Sequence, residues 1–173
     1  MQPVVSRGFT LVEAMATMLI FSIAALALTN VLGFSLRHQS DGMVTAKVIN
    51  LAQSYFEEIA ARRFDENTPL GGVPPCSPAT TPCSTIGIDG ESRATFDDID
   101  DYHGLDESPP LDSFGDPRPD YQGYRVQIAV SYPTPAQVTD LALDQPTDAK
   151  IVRLDITTPA GKTQQFATIK GNF

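Results

Sequence analysis

The chain has 173 residues and a formal net charge of -9, with 14 proline, 12 glycine and no tryptophan. So acidic a balance argues against broad electrostatic capture of nucleic acid or anionic lipid, both of which need clustered lysine and arginine. The length leaves room for one membrane element and one small globular domain, and the proline and glycine content predicts loops around a modest core.

The first element is apolar. Residues 14–36 contain no charged side chain. At about 1.5 Å per helical residue they span roughly 35 Å, enough to cross a hydrocarbon core ~30 Å thick. Glu13 stands at the edge of this run, where a bare carboxylate in lipid is costly without a neutralising partner. A cleavable export signal is the competing reading, with Arg7 as its basic region, residues 15–24 as its apolar core and Ala25-Leu26-Ala27 as its small-residue cleavage site. Against it, the apolar run continues well past Ala27, the basic region holds only Arg7, and Glu13 sits where such a signal prefers a neutral residue.

The stretch Arg7-Gly8-Phe9-Thr10-Leu11-Val12-Glu13, followed by a long uncharged run, resembles the N-terminus of type IV prepilins and of the related pseudopilins of type II secretion systems. In that family a short basic leader ends in glycine, a prepilin peptidase cuts before phenylalanine, and the new amine is N-methylated. A glutamate five residues into the mature chain then pairs with an amine terminus. The resemblance gives these roles to Gly8 and Phe9 at the cleavage site, Phe9 at the methylated amine and Glu13 in subunit assembly. It also implies a pilin-like layout: leader 1–8, transmembrane half-helix 9–36, amphipathic half-helix 37–64, a loop region 65–120 and a sheet 121–173 that forms one globular domain with 37–64. The weak Arg7 bias favours a cytoplasmic leader and an exported C-terminal domain, with Arg37 at the far flank.

From Phe9 no proline occurs before Pro69, so one helix can run to about Arg63. Val44, Val48, Leu51, Tyr55 and Ile59 recur at spacings of three and four and predict one apolar stripe. Gly33 and Gly42 are the weak points, each costing up to about 1 kcal/mol relative to alanine. Beyond Gly71-Gly72 lies a proline-rich loop carrying Cys76 and Cys83, the only cysteines. In an exported chain such a pair is most simply a disulfide, worth on the order of 2.5 kcal/mol for so short a loop. The alternatives are free thiols or a metal site, for which His38 and His103 are remote and lack ligand spacing.

Residues 89–120 are dense in acid. Asp97, Asp98, Asp100 and Asp101, with Asp106 and Glu107, offer the hard oxygens that Ca²⁺ takes, although they do not match the spacing of the twelve-residue calcium loop. A solvated acidic loop of mostly irregular structure is the default expectation, with a short edge strand or turn at 95–99. The last third reads as sheet. Tyr124, Val126, Ile128, Val130 and Tyr132 alternate with polar or small residues, and 151–157 and 163–169 form a hairpin through Pro159-Ala160-Gly161-Lys162. Three antiparallel strands over the amphipathic helix make an α+β domain, with one helical turn near 136–141 in the preceding connection.

Asp100-Asp101-Tyr102-His103-Gly104, the segment 51–59 and the ending Ile169-Lys170-Gly171-Asn172-Phe173 also resemble the minor pilin-like subunits of MSHA pili. Tyr102 is expected to anchor the acidic loop on the core and His103 to hydrogen-bond locally. No nucleophile elbow, phosphate-cradling loop or ligand constellation accompanies His103, so the chain reads as a substrate of processing enzymes and not as an enzyme. The expected function is that of a minor pilin in pilus assembly, initiation and surface adhesion, without a cofactor. Its expected partners are the prepilin peptidase, other pilin subunits, the assembly platform and the inner membrane, with no nucleic acid. A type II secretion pseudopilin is the near alternative, and a membrane-anchored Ca²⁺-binding or ligand-binding module is the alternative of another class.

Overall fold

The computed structural model describes Gly8 and residues 10–172, without the side chains of Leu32 and residues 34–41. The expectations placed on Arg7, on Phe9 and on the side chains of Arg37 and His38 lie outside the described residues. The chain divides into two compact units, Met1–Thr45 and Ala46–Phe173, and helix α1 (Leu11–Ala60) contributes residues to both.

In the first unit the helix carries its apolar side chains outward. Leu11, Val12, Met15, Met18, Leu19, Ile20 and Phe21 are all exposed, as are Leu26, Leu28 and Val31. The stretch Leu11–Val31 has a mean hydropathy of 2.2 and none of it is buried, so by length and composition it is able to cross a membrane. Its hydroxyls are satisfied within the helix. Thr17, Ser22 and Thr29 donate to the carbonyls of Ala14, Met18 and Leu26 at 2.7–2.9 Å, so these side chains need no outside partner.

The second unit is the α+β body. Strands β1 (Asp106–Glu107), β2 (Arg125–Ser131), β3 (Ala149–Thr157) and β4 (Thr163–Gly171) form an antiparallel sheet in that order. The β2 alternation places Val126, Ile128 and Val130 on one face, in register with Ile156, Leu154 and Val152 of β3. Those six pack with Val48, Leu51, Ala52, Tyr55 and Ile59 of α1 in one buried cluster. Helix α2 (Pro135–Asp140) starts at Thr134, whose hydroxyl and the Gln137 side chain make a reciprocal cap.

Three expectations are corrected here. The helix stops at Ala60 and not near Arg63, because the backbone of Arg63 turns to the acidic segment. Its N–H donates to the Asp97 carbonyl and its carbonyl accepts from the Ile99 N–H, each at 3.1 Å. That contact also makes 95–99 a bridged turn, one of the two forms expected of it. The sheet has four strands, not three, since Asp106 and Glu107 pair with Gln127 and Val126. Finally, the acidic segment is solvated only in part, for Asp98, Asp100, Asp101 and Glu107 are buried while Asp89, Asp106, Asp116 and Asp120 are exposed.

Candidate functional site

Thr10 precedes the helix and Leu11 opens it. The Glu13 N–H donates to the Thr10 hydroxyl at 3.3 Å, and the Ala14 N–H to the Thr10 carbonyl at 3.1 Å. This is the Thr-x-x-Glu start of a helix, with the carboxylate in the first turn where the helix dipole favours it. Gly8 and Glu13 are both exposed. Among the described residues, no lysine, arginine or histidine pairs with the Glu13 carboxylate. The side chain thus stands at the mouth of an apolar, unburied helix, with no counter-charge among the described residues.

The second unit buries ion pairs at two places. The guanidinium of Arg93 pairs with Glu58 of α1 (Nη1–Oε1 2.5 Å) and Glu107 of β1 (Nε–Oε1 2.9 Å), and it lies 5.2 Å from the Tyr102 ring and 5.6 Å from that of Phe96. Tyr102 donates its hydroxyl to Glu58 at 2.7 Å and Tyr55 donates to Glu107. Burial, and after it the Glu58 hydrogen bond, push the Tyr102 phenol up to about 12. Arg93 is therefore a clip that ties the acidic segment and β1 to the helix, and Tyr102 is the anchor expected of it. His103 serves a different strand. Its Nδ1 accepts from the Val130 N–H at 3.1 Å, so its bond reaches across to β2 and is not local.

At the other place Lys150, fully buried at the start of β3, meets Asp65 and Asp100 at 3.0 and 2.6 Å. Asp65 also accepts from the backbone N–H of Asn67 at 3.0 Å and from the N–H and hydroxyl of Ser84 at 2.9 and 3.0 Å. Burial acts to raise its carboxyl, but those donors and Lys150 outweigh it and hold the group below the usual range. For Asp100, burial prevails over Lys150 and the carboxyl is raised.

The four carboxylates weighed as Ca²⁺ ligands are placed in one turn and drawn into different duties. Asp98 accepts from the N–H groups of Asp100 and Asp101 at 2.7 and 3.3 Å, and Asp101 accepts from those of Asp97 and Asp98 at 3.1 and 3.2 Å. Asp97 pairs with Arg63 and Asp100 with Lys150. Burial, and next the Asp100 charge, push the Asp98 carboxyl up to about 7. The acidic run was visible in the sequence, but its buried cations were not. Nothing local to Lys150 or Arg93 in the sequence marks either as a partner of the acidic segment.

Cys76 and Cys83 are joined by a disulfide, with Cα atoms 5.0 Å apart. Cys76 is buried, and its carbonyl accepts from the Asn172 side chain at 2.8 Å, which docks the stapled loop on the chain end beyond β4.

Residues 5–29 match the family described as the prokaryotic N-terminal methylation motif. Comparison with curated proteins and with solved structures gave no match. The matched motif indicates the type IV pilin or pseudopilin class and implies processing by a prepilin peptidase.

Proposed function

We propose, on the premise of a prepilin-type N-terminus, that the chain is a minor type IV pilin of the MSHA type that acts in pilus assembly or initiation and in surface adhesion. The observation that carries this reading is the coincidence of the motif over residues 5–29 with an apolar, unburied helix whose Glu13 has no cation among the described residues. Cleavage between Gly8 and Phe9 frees an amine, and methylation of that amine keeps its charge. In a filament, apolar segments pack into a central bundle, where small residues such as Ala24, Ala25 and Ala27 permit close approach. An unpaired carboxylate in that bundle is strongly destabilising, so the amine of a neighbouring subunit paired with Glu13 sets the register between subunits.

In this reading the chain first sits in the inner membrane with the Ala46–Phe173 unit in the periplasm, and then in the filament. The disulfide supports an oxidising compartment for that unit. The MSHA assignment rests on the short resemblances at 51–59, 100–104 and 169–173. The same N-terminal motif serves type II secretion pseudopilins, which is the second reading. Mass spectrometry of sheared, purified surface filaments is the test. Recovery of this chain with a methylated Phe9 is expected. Its absence from surface filaments, with the methylated chain retained in a secretion complex, would favour the pseudopilin.

A further inference from the structure

The pocket around Lys150 holds reactive groups that the filament reading leaves unused. The Lys150 side chain is wholly removed from solvent, with Nζ 2.6 Å from Asp100 Oδ2, 3.0 Å from Asp65 Oδ2 and 2.9 Å from the Phe64 carbonyl. Aromatic rings close over it, that of Phe64 with its centroid 4.4 Å away and that of Tyr132 at 5.5 Å. Its two carboxyl neighbours are not equivalent. Asp65 is fixed by the Ser84 and Asn67 donors, whereas Asp100 Oδ1 is buried and accepts no hydrogen bond. A carboxylate with one unsupported oxygen in a dry site is poorly stabilised as an anion.

An amine, a carboxyl with an unsupported oxygen and a second, well-held carboxylate within hydrogen-bond distance in a water-excluded pocket are the requirements for condensation to an amide. Lysine becomes a nucleophile when desolvated, and holding the reactants together removes most of the entropic barrier. We propose that Lys150 Nζ and Asp100 Cγ form an intramolecular amide cross-link, with Asp65 as the proton shuttle.

The step balances without any co-reactant. A proton passes along the hydrogen bond from the Lys150 ammonium to the Asp100 carboxylate, leaving an amine beside a carboxyl. The nitrogen lone pair then forms the Nζ–Cγ bond, and the carbonyl electrons move onto oxygen. Asp65 takes a proton from the nitrogen and gives it to the hydroxyl oxygen. That oxygen leaves as water when the Cγ–O bond breaks and the carbonyl re-forms. One ammonium and one carboxylate become one amide and one water, and the remaining N–H is left to donate to Asp65. The bond ties the start of β3 to the acidic segment 50 residues earlier. It involves only the Ala46–Phe173 unit and holds whether or not the chain enters a filament.

The test is the intact mass of the full chain, extracted in detergent with its disulfide reduced, together with a tryptic map. The expected mass is one water below that of the processed sequence. The map is expected to lack cleavage after Lys150 and to contain a branched peptide joining the segments that hold Asp100 and Lys150. Asp65→Asn, which keeps the side-chain shape, is expected to leave most of the chain at full mass. Wild-type chain at full mass with normal cleavage at Lys150 would overturn the cross-link. So would a water loss that maps to a succinimide at Asp89-Gly90 with Lys150 still cleaved. Complete cross-linking in Asp65→Asn would overturn the role given to Asp65.

Discussion

The two halves of α1 differ in where their partners are. Residues 48–59 bury Val48, Leu51, Ala52, Tyr55 and Ile59 against the sheet of the same chain, while Leu11–Val31 exposes nearly every apolar side chain it has. One amphipathic stripe is satisfied by four strands; an all-round apolar surface of this length is satisfied only by lipid or by other helices. The charges follow the same division. Glu58, at the end of the inner half, is met by Arg93, whereas Glu13 at the start of the outer half meets no cation among the described residues. The inner half is thus an intramolecular spine, whereas the Leu11–Val31 stretch of the outer half finds no burial within the described chain.

That contrast is open to test by substitution. All five tyrosines lie in the Ala46–Phe173 unit and there is no tryptophan, so the tyrosine band in the near-ultraviolet circular dichroism of the whole chain in detergent reports that unit alone. Tyr55→Ala is expected to have the largest effect, removing a fully buried ring and the hydroxyl that bonds Glu107, at a cost of about 4 kcal/mol. Leu51→Ala is expected to cost about 3 kcal/mol, roughly a 10 °C drop in Tm, while Leu19→Ala leaves the same transition unmoved. Equal effects from Leu51 and Leu19 would abolish the distinction between the halves. Cys76→Ser with Cys83→Ser is expected to lower stability by about 2.5 kcal/mol, read from denaturant midpoints with and without reductant.

The smallest expected effect is a pH slope. The Asp98 carboxyl sits at about 7 in the folded chain, above the ~3.9 of an unfolded aspartate, so the folded state binds this proton more tightly. The stability this contributes is full below about pH 4 and is lost as pH rises through about 7. The lowered Asp65 carboxyl acts in the opposite sense, but only as pH falls below the ordinary carboxylate range. The unit is therefore expected to melt a few degrees higher at pH 5.5 than at pH 8. Asp98→Asn, whose amide oxygen still accepts from the N–H groups of Asp100 and Asp101, is expected to flatten that difference. An unchanged slope in the variant would assign it to another group.

Much of this architecture was legible because its signals are periodic. The spacing of Val48, Leu51, Tyr55 and Ile59 gave the buried helix face, and the alternation from Tyr124 to Tyr132 gave β2 within a residue at each end. The hairpin was also found, although β3 and β4 each extend two residues further. What escaped was set by contacts distant in sequence. Asp106-Glu107 has no strand pattern of its own and becomes β1 by pairing with β2 and through the Arg93 clip. Burial of Asp100 depends on a lysine 50 residues away, and the early end of α1 depends on Arg63 bonding to the Asp97–Ile99 turn. A run of acids looks solvated until the cations that neutralise it are placed. The N-terminal motif was legible because it is contiguous in sequence.

The central claim is that Glu13 finds its counter-charge in another subunit. The most direct measurement is the fate of Glu13→Ala expressed at the native level, followed by N-terminal mass spectrometry of the membrane fraction and immunoblotting of sheared filaments. The account expects the variant to be cleaved before Phe9 yet to stay in the membrane, absent from filaments that the wild-type chain enters. Glu13→Ala incorporated into filaments as well as the wild type would contradict it.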